Sequence, residues 1–153
     1  VRKNTDAKIS AKLAPNVPDI QEIAKAVVDA GANAISAVNT MPGMVIDVKI
    51  GKPILHNKQG GVSGHALKPI ALNAIYEIRK AVDVPILGIG GISTGEDACE
   101  MIMAGASAVQ IGTGIYYRGI DVFRKVTDEI KQIMKEHGYS KLDDMRGIAH
   151  AKG

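Results

Sequence analysis

The chain contains 153 residues with a formal net charge of +3 at pH 7; 46% of the residues are hydrophobic and 23% are charged. This composition is typical of a folded domain with a sizeable core, no apolar run approaches the roughly 20 residues of a membrane helix, and aromatic residues, at 3%, are too few for nucleic-acid stacking platforms. The single cysteine, Cys99, excludes an internal disulfide and favours a reducing, cytoplasmic location.

Apolar periodicity predicts four strands joined by helices. Parallel strands connected in this way place their carboxyl ends at one edge of the sheet, where such proteins bind ligands. The predicted strands are residues 7–14, 32–39, 86–90 and 108–111, and the predicted helices are residues 18–30, 69–82, 95–103 and 120–137.

The long connection from residue 41 to residue 68 shows no helical periodicity. An apolar run at residues 45–49, a turn at residues 51–53 and a second apolar run predict a small hairpin. We expect this hairpin to be buried and to act as a lid over the mouth of the site. The connection ends in Gly-Gly-Val-Ser-Gly at residues 60–64, which we interpret as a flexible nest of backbone donors.

The last third of the chain predicts further helices. Ser93 is expected to cap the third helix, with Glu96 placed for a capping box. Residues 114–119 are long enough for a short extra helix, and residues 139–150 predict a terminal helix that begins at Ser140. The buried stripe of the helix at residues 120–137 is predicted to be Val122, Phe123, Val126, Ile130, Ile133 and Met134.

Glycines follow the third and fourth strands, at Gly90–Gly91 and at Gly112. A glycine lets backbone N–H groups approach an anion closely, and barrel enzymes bind phosphate with the loops after their last two strands. Either glycine site alone indicates no more than a tight turn. Together with Thr113, the two sites predict a phosphate-binding site.

Four such units make half of an eight-stranded barrel. A sheet of four parallel strands leaves two unpaired edges and, we expect, an uncovered apolar interior face, so it should pair with a missing half or with another copy. Because the sequence begins with Val1 rather than with methionine, we expect the chain to be part of a longer polypeptide. The alternative is an open four-stranded α/β domain with a shallow site.

Six motifs, in order along the chain, resemble those of the FMN-dependent dihydroorotate dehydrogenases. The likeness is strongest to class 1B, whose catalytic subunit works with an iron–sulfur flavoprotein partner and NAD. The motifs are Ala11-Lys-Leu-Ala-Pro-Asn16, Ala37-Val-Asn-Thr40, Gly60-Gly-Val-Ser-Gly64, Lys68-Pro-Ile-Ala-Leu72, Gly88-Ile-Gly-Gly-Ile92 and Val109-Gln-Ile-Gly-Thr113. The resemblance implies a TIM (β/α)8 barrel with FMN at its mouth. Residues 1–153 would form its C-terminal half, roughly strands five to eight, with the hairpin as an insertion.

The resemblance also implies site residues. It places Lys12 and Val38 at the flavin, and Asn39 and Thr40 at the pyrimidine substrate. The residues that it assigns to the FMN phosphate and ribityl chain are Gly64, Gly90, Gly91, Gly112 and Thr113. A lysine ammonium is suited to the negative charge that develops when dihydroorotate passes a hydride to flavin, and an asparagine offers a donor and an acceptor to an amide edge.

The resemblance implies an oxidoreductase of pyrimidine biosynthesis that converts dihydroorotate to orotate with FMN and passes electrons to an FAD and iron–sulfur subunit. In this class a cysteine in the first half of the barrel takes the proton from substrate carbon C5, and Cys99 does not match it. We therefore expect no catalytic residue in this chain, and no efficient turnover by the chain alone.

Other interpretations stay open at this stage. The pyrimidine-reducing domain of dihydropyrimidine dehydrogenase carries a similar Gly-Gly-Val-Ser-Gly run. A lyase or aldolase barrel would use Lys12 as a Schiff base, and a self-associating half-barrel would not be an enzyme. His56 and His65 flank the predicted lid, but without a carboxylate at ligand spacing they predict no metal site.

Overall fold

The computed structural model describes residues 1–151. The strands are β1 (Ser10–Leu13), β2 (Ala34–Ala37), β3 (Met41–Gly43), β4 (Ile46–Asp47), β5 (Lys52–Pro53), β6 (Gly60–Val62), β7 (Ile86–Ile89) and β8 (Ala108–Gln110). The α-helices are α1 (Ile20–Asp29), α2 (Lys68–Ala81), α3 (Gly95–Met103), α4 (Gly114–Arg118) and α5 (Val122–His137). Short 3-10 turns lie at Arg2–Asn4, His65–Leu67, Leu142–Asp144 and Ile148–His150.

A four-stranded parallel sheet with the order β1-β2-β7-β8 forms the centre of the fold. Its registers pair Leu13 with Ala37, Ala37 with Gly88, and Ile89 with Gln110, so the four carboxyl ends reach the same edge. The four predicted strands are confirmed. Each is shorter than predicted, because ladder pairing stops where the neighbouring strand ends.

The helices cover one face of this sheet and form the main core with it. The side chains of Ile35, Ile75, Ile78, Ile86 and Met101 are fully buried there. Burial of an apolar side chain of this size stabilises a fold by about 1.5–3 kcal/mol. α1 packs against α2, and α3 packs against both α2 and α5, so the helical layer is continuous. Among the described residues, no helix combines the length and apolarity needed to cross a membrane.

No helix of residues 1–151 covers the opposite face of the sheet, and its chemistry differs from our expectation. Alternation along the paired strands places on it four polar residues, Ser10, Lys12, Ser36 and Gln110, and four apolar residues, Ala34, Leu87, Ile89 and Ala108. The hydroxyls of Ser10 and Ser36 lie 2.9 Å apart and share a hydrogen bond. The face is therefore mixed rather than apolar as predicted, because β1 contributes only the polar residues Ser10 and Lys12 to it.

The connection between β2 and α2 contains two small antiparallel ladders. β3 pairs with β6, and β4 pairs with β5, so the predicted hairpin exists. Its predicted burial is wrong, because ladders of two or three residues build no second layer to cover their side chains. The large apolar residues that are 47–89% exposed here are Met44, Val45, Ile46, Val48, Ile50, Ile54 and Leu55.

The start of α3 corrects the predicted cap. Thr94 rather than Ser93 is the N-cap residue, and its hydroxyl accepts the N–H of Asp97 at 3.1 Å. Asp97 rather than Glu96 completes the capping box, because Asp97 is the third helical residue and Glu96 is only the second.

α5 ends where predicted but begins two residues later, at Val122, and it lacks part of the predicted stripe. Val122 and Val126 are buried, whereas Phe123 is 47% exposed, because Phe123 lies about 100° around the helix from Val122. Gly138 ends the helix in the left-handed conformation, with a φ of 76°, as predicted.

The segment after α5 forms two 3-10 turns instead of the predicted helix at residues 139–150. Gly147, with a φ of 74°, separates the turns. Met145 is fully buried. His150 stacks on Tyr76 with ring centroids 4.1 Å apart, and its Nε2 lies 3.0 Å from the carbonyl oxygen of Ala104. The segment is therefore fixed by packing against α2 and α3.

Gly95 marks a close contact between α3 and α5, and its replacement should be costly. A Cβ on Gly95 would lie 2.4 Å from the Cβ of Glu129 and 2.8 Å from the backbone N of Ile130. We expect Gly95→Ala to lower the free energy of unfolding by about 1–3 kcal/mol through overpacking. The exposed neighbour Glu96 is the control, since Glu96→Ala should change it by less than about 0.5 kcal/mol. Urea denaturation measures both variants, and equal values would contradict the close contact.

Candidate functional site

A cleft of about 270 Å³ lies at the carboxyl edge of the parallel sheet. Eight of the nine residues predicted for the site line it: Lys12, Val38, Thr40, Gly64, Gly90, Gly91, Gly112 and Thr113. The lining residues that the sequence did not single out are Ser63, Leu67, Ile89, Ile92, Gln110 and Gly114. Most of these adjoin a predicted residue in the chain, and this adjacency is the signal that could have found them.

The ends of β1 and β2 form one side of the cleft. Lys12 is exposed and is the only charged residue that lines the cleft within residues 1–151. Val38 is buried beside it. Asn39 is the predicted residue that does not line the cleft: it is exposed, and its backbone N–H donates to the carbonyl oxygen of Leu13 at 2.7 Å.

Two glycines hold the loop after β7 close to the start of α2. Gly90 and Gly91 have φ values of 135° and 74°, which side chains with a Cβ rarely adopt. A Cβ on Gly91 would lie 2.9 Å from the carbonyl oxygen of Gly64 and 2.7 Å from the Cβ of Lys68. The fold itself therefore requires glycine at these positions.

Gly112 is different, because packing does not explain it. Within residues 1–151 no atom lies within 4 Å of a Cβ placed on Gly112, and its φ is not in the left-handed region. Its neighbour Thr113 donates its hydroxyl to Ser63 Oγ at 2.9 Å, which joins the loop after β8 to the loop after β6. A glycine without a packing reason often marks a close approach by a ligand.

The run from Gly60 to Gly64 divides into two parts. Gly60 and Gly61 belong to β6, and a Cβ on Gly61 would lie 2.1 Å from Thr40 Oγ1. The predicted flexible nest is therefore wrong for these two glycines, which permit close strand packing. Gly64, with a φ of 81°, lines the cleft beside Tyr117.

A buried carboxylate supports the loop after β7. Asp97 Oδ2 accepts the backbone N–H groups of Ser93 and Thr94, both at 2.9 Å, and Oδ1 accepts from Lys68 Nζ at 2.7 Å. Burial raises the pKa of Asp97, but these hydrogen bonds lower it by more, so its pKa lies far below the usual range. Hydrogen bonds to Asp97 and Glu100 in turn raise the pKa of Lys68.

A second ion pair holds α4 and α5 to the same loop. Arg118 Nη1 donates to the carbonyl oxygen of Ser93 at 2.8 Å, and Nη2 lies 2.6 Å from Glu129 Oε1. Glu129 Oε2 also accepts the N–H of Gly95 at 2.6 Å, and the hydrogen bond from Arg118 lowers the pKa of Glu129. The two basic side chains behind the loop are thus both paired with carboxylates.

The remaining candidate residues lie outside the cleft lining. Cys99 is buried beside Ile102 and Met145, and burial raises the pKa of its thiol, so it lacks the access and the charge state of a nucleophile. His65 is exposed and stacks on Tyr117 at 5.2 Å. No three His, Cys, Asp or Glu side chains in the described part of the chain are arranged to hold a metal ion.

Comparison with known proteins identifies the family of the chain that forms this cleft. Residues 1–134 match the protein family described as dihydroorotate dehydrogenase. The chain belongs to this family. A relative from Methanocaldococcus jannaschii, named dihydroorotate dehydrogenase B (NAD(+)), catalytic subunit, is 53% identical over 150 residues. A relative of the same name from Pyrococcus abyssi is 48% identical over 149 residues.

The chain spans about half the length of these dihydroorotate dehydrogenase relatives. The two alignments cover 98% and 97% of this chain but 49% and 50% of the relatives. A crystal structure of DHODH from Eimeria tenella, in complex with ferulenol, matches 95% of this chain and 39% of its own, with a TM-score of 0.80 and 31% identity. The predicted family and the predicted half-barrel are confirmed. Dihydroorotate dehydrogenases are flavin-dependent oxidoreductases, and the two relatives are catalytic subunits by name.

The two kinds of cleft glycine should respond differently to substitution. We expect Gly91→Ala to lower the free energy of unfolding by about 1–3 kcal/mol, because alanine is strained at this φ and its Cβ meets Lys68 and Gly64. The matched control Gly112→Ala should change it by less than about 0.5 kcal/mol. Urea denaturation followed by circular dichroism compares them, and equal losses would show that Gly112 is also a packing residue.

The contribution of Asp97 to stability should depend on pH. Its pKa is lower in the folded chain than in the unfolded chain, so its carboxylate stabilises the fold above the unfolded-state pKa of about 3.9. This contribution is lost as the pH falls towards the folded-state pKa. We expect Asp97→Asn to lower the free energy of unfolding most at neutral pH, and this difference from the wild type to decrease below about pH 4. Urea denaturation over this pH range measures it; a constant difference would count against the charged pair.

Proposed function

We propose that this chain carries the FMN-binding half of a dihydroorotate dehydrogenase, which oxidises dihydroorotate to orotate in pyrimidine biosynthesis. The cleft is the observation that supports the proposal most, because it gathers Lys12, Thr40, Thr113 and three glycine loops at one edge of the sheet. Membership of the dihydroorotate dehydrogenase family supports the same reaction.

The residues present fit the phosphate end of FMN. Gly112 leaves open space where a Cβ would project, and the N–H groups of Gly112, Thr113 and Gly114 have no protein acceptor within residues 1–151. Unpaired backbone N–H groups are suitable donors to phosphate oxygens. We assign the phosphate and ribityl chain to Gly112 and Thr113 together with the loops that contain Gly64, Gly90 and Gly91.

The size of the cleft fits part of the cofactor. Its volume of about 270 Å³ is slightly below the range of about 300–1,000 Å³ that is usual for small-molecule pockets. We propose that this chain encloses the phosphate end, and that another part of the complete enzyme covers the rest of FMN.

The proposed chemistry uses few groups of this chain. Bound FMN supplies the hydride acceptor. Lys12 holds a positive charge at the cleft, which stabilises the negative charge that develops during hydride transfer. Lys68 and Arg118 are not available for this role, since each is paired with a carboxylate.

The substrate side of the cleft is formed by the end of β2. Thr40 lines the cleft, and Asn39 precedes it in the chain. We propose that both bind the pyrimidine ring, since they offer hydrogen-bond donors and acceptors to its amide edge. Asn39 does not line this cleft, so we propose that it contacts a part of the ring that lies outside it.

Removal of the proton from substrate carbon C5 requires a base that the described residues do not place in the cleft. Cys99 is 3% exposed and lies between α3 and α5. We propose that a cysteine from another part of the complete enzyme is the base, and that a cytoplasmic partner subunit with FAD and an iron–sulfur cluster receives the electrons. The names of the relatives, with NAD(+) and a catalytic subunit, support this arrangement.

The test is flavin reduction in the protein as it is natively produced. The protein should bind FMN, and dihydroorotate added without oxygen should bleach the flavin absorbance. Lys12→Met should slow this bleaching by about 100-fold, measured by stopped-flow absorbance, because it removes the charge that stabilises the transition state. Lys131→Met is the control, since Lys131 is exposed on α5. Absence of FMN binding would refute the proposal, and reduction by dihydrouracil but not by dihydroorotate would indicate dihydropyrimidine chemistry.

A further inference from the structure

The two glycine loops on the phosphate side of the cleft are joined by an ion pair between Lys68 and Asp97 and by a 3.4 Å contact between Ser93 Oγ and His65 Nε2. One loop, after β6, contains Gly64 and leads through the 3-10 turn His65–Leu67 into Lys68 at the start of α2. The other loop, after β7, contains Gly91 and leads into α3. The loops touch, because a Cβ on Gly91 would lie 2.9 Å from both the carbonyl oxygen of Gly64 and the backbone N of Lys68.

Short contacts of Lys68 and Asp97 form the bridge between these loops. Lys68 Nζ donates to Asp97 Oδ1 at 2.7 Å and also lies 2.8 Å from Glu100 Oε2. The other oxygen of Asp97 binds the loop after β7 through the N–H groups of Ser93 and Thr94 and through Ser93 Oγ at 3.2 Å. Asp97 is only 6% exposed. The carboxylate therefore connects the first residue of α2 to the loop that carries Gly91.

We propose that the Lys68–Asp97 pair is a positioning device, which sets the separation of the two glycine loops and so determines the preference of the site for a phosphorylated flavin. The proposal rests on the assignment of FMN to the cleft. Neither side chain lines the cleft, so both act through the backbone groups of the loops. Misplacement of positioned groups by about 1 Å can cost an enzyme about 100-fold in function.

Asp144 forms the same kind of helix-capping hydrogen bonds as Asp97 but, within residues 1–151, without a bridging lysine. Asp144 Oδ2 accepts from Ser140 N at 3.0 Å, from Ser140 Oγ at 2.7 Å and from Lys141 N at 3.1 Å. This repeats the spacing and the hydrogen bonds of Asp97 with Ser93 and Thr94. Among the described residues, however, Asp144 forms no ion pair with a basic side chain of another element, and it does not line the cleft. Asp144 is therefore a matched control for the loss of a cap.

The experiment measures two affinities on the natively produced protein freed of its flavin. FMN and riboflavin are titrated separately, with flavin fluorescence as the readout, against the wild type and the variants Asp97→Asn, Lys68→Met and Asp144→Asn. Lys80→Met is the control for Lys68→Met, because Lys80 forms an ion pair with Glu77 at the other end of α2. Thermal midpoints of all variants are recorded in parallel.

We expect Asp97→Asn and Lys68→Met to weaken FMN binding about tenfold or more and to change riboflavin binding much less, so that the ratio of the two affinities falls. The double variant should be little worse than either single variant, because both remove the same pair. Asp144→Asn and Lys80→Met should leave the ratio unchanged.

Two results would overturn the inference. If a folded Asp97→Asn or Lys68→Met variant keeps the wild-type ratio of FMN to riboflavin affinity, the pair only stabilises the fold. If the wild type binds FMN no more tightly than riboflavin, the cleft has no phosphate site, and the proposed assignment of FMN is wrong. Lys68→Met keeps most of the aliphatic side chain and leaves the hydrogen bonds of Asp97 to Ser93 and Thr94 in place, so it is the second variant on which the question is decided.

Discussion

The architecture of the cleft depends on a contact between backbones that leaves no room for a side chain. At Gly91 the loop after β7 passes directly against the start of α2 and the carbonyl group of Gly64. Leu67 and Ile92, which flank this contact, are both buried and both line the cleft. Because protein interiors are close-packed and transmit strain, the position of the cleft wall is set by how closely these two segments approach.

Charge around this contact is arranged in pairs. The carboxylates of Asp97 and Glu129 each accept from a basic side chain, and they accept two backbone N–H groups and one, respectively. For the buried Asp97, full use of the carboxylate oxygens offsets the cost of removing them from water, and loss of one partner of a buried pair costs about 3–5 kcal/mol. The pair of Arg118 with Glu129 is about a third exposed and contributes less. The pairs cancel most of the local charge. Lys12 then dominates the charge of the cleft lining, as suits an anionic ligand.

Sequence patterns predicted the features that are local or that follow from parallel topology. The strands, α1, α2, the short α4 and the end of α5 at Gly138 are of this kind, and so is the grouping of residues from four strand ends. Burial was predicted less well, as Phe123 and the hairpin show, because burial depends on what packs against a side chain. Periodicity does not contain that information.

The predicted helix cap was wrong, and the different roles of the cleft glycines were not predicted, for a related reason. Ser93 and Thr94 are both good caps, and Glu96 and Asp97 are both acidic, so the sequence leaves the choice open. The lysine of another helix, Lys68, contacts only Asp97 of these two capping candidates. Likewise Gly91 and Gly112 look equivalent in the sequence, but only the structure shows that one is needed by the backbone and the other faces open space.

The mixed character of the uncovered sheet face affects what can adhere to it. Ser10, Lys12 and Gln110 lie exposed on this face beside Leu87 and Ile89. A purely apolar surface packed against it would bury these polar groups without hydrogen-bond partners, at a cost of about 1–3 kcal/mol for each group. The face therefore disfavours non-specific apolar association. It favours a surface whose hydrogen-bond donors and acceptors match its own.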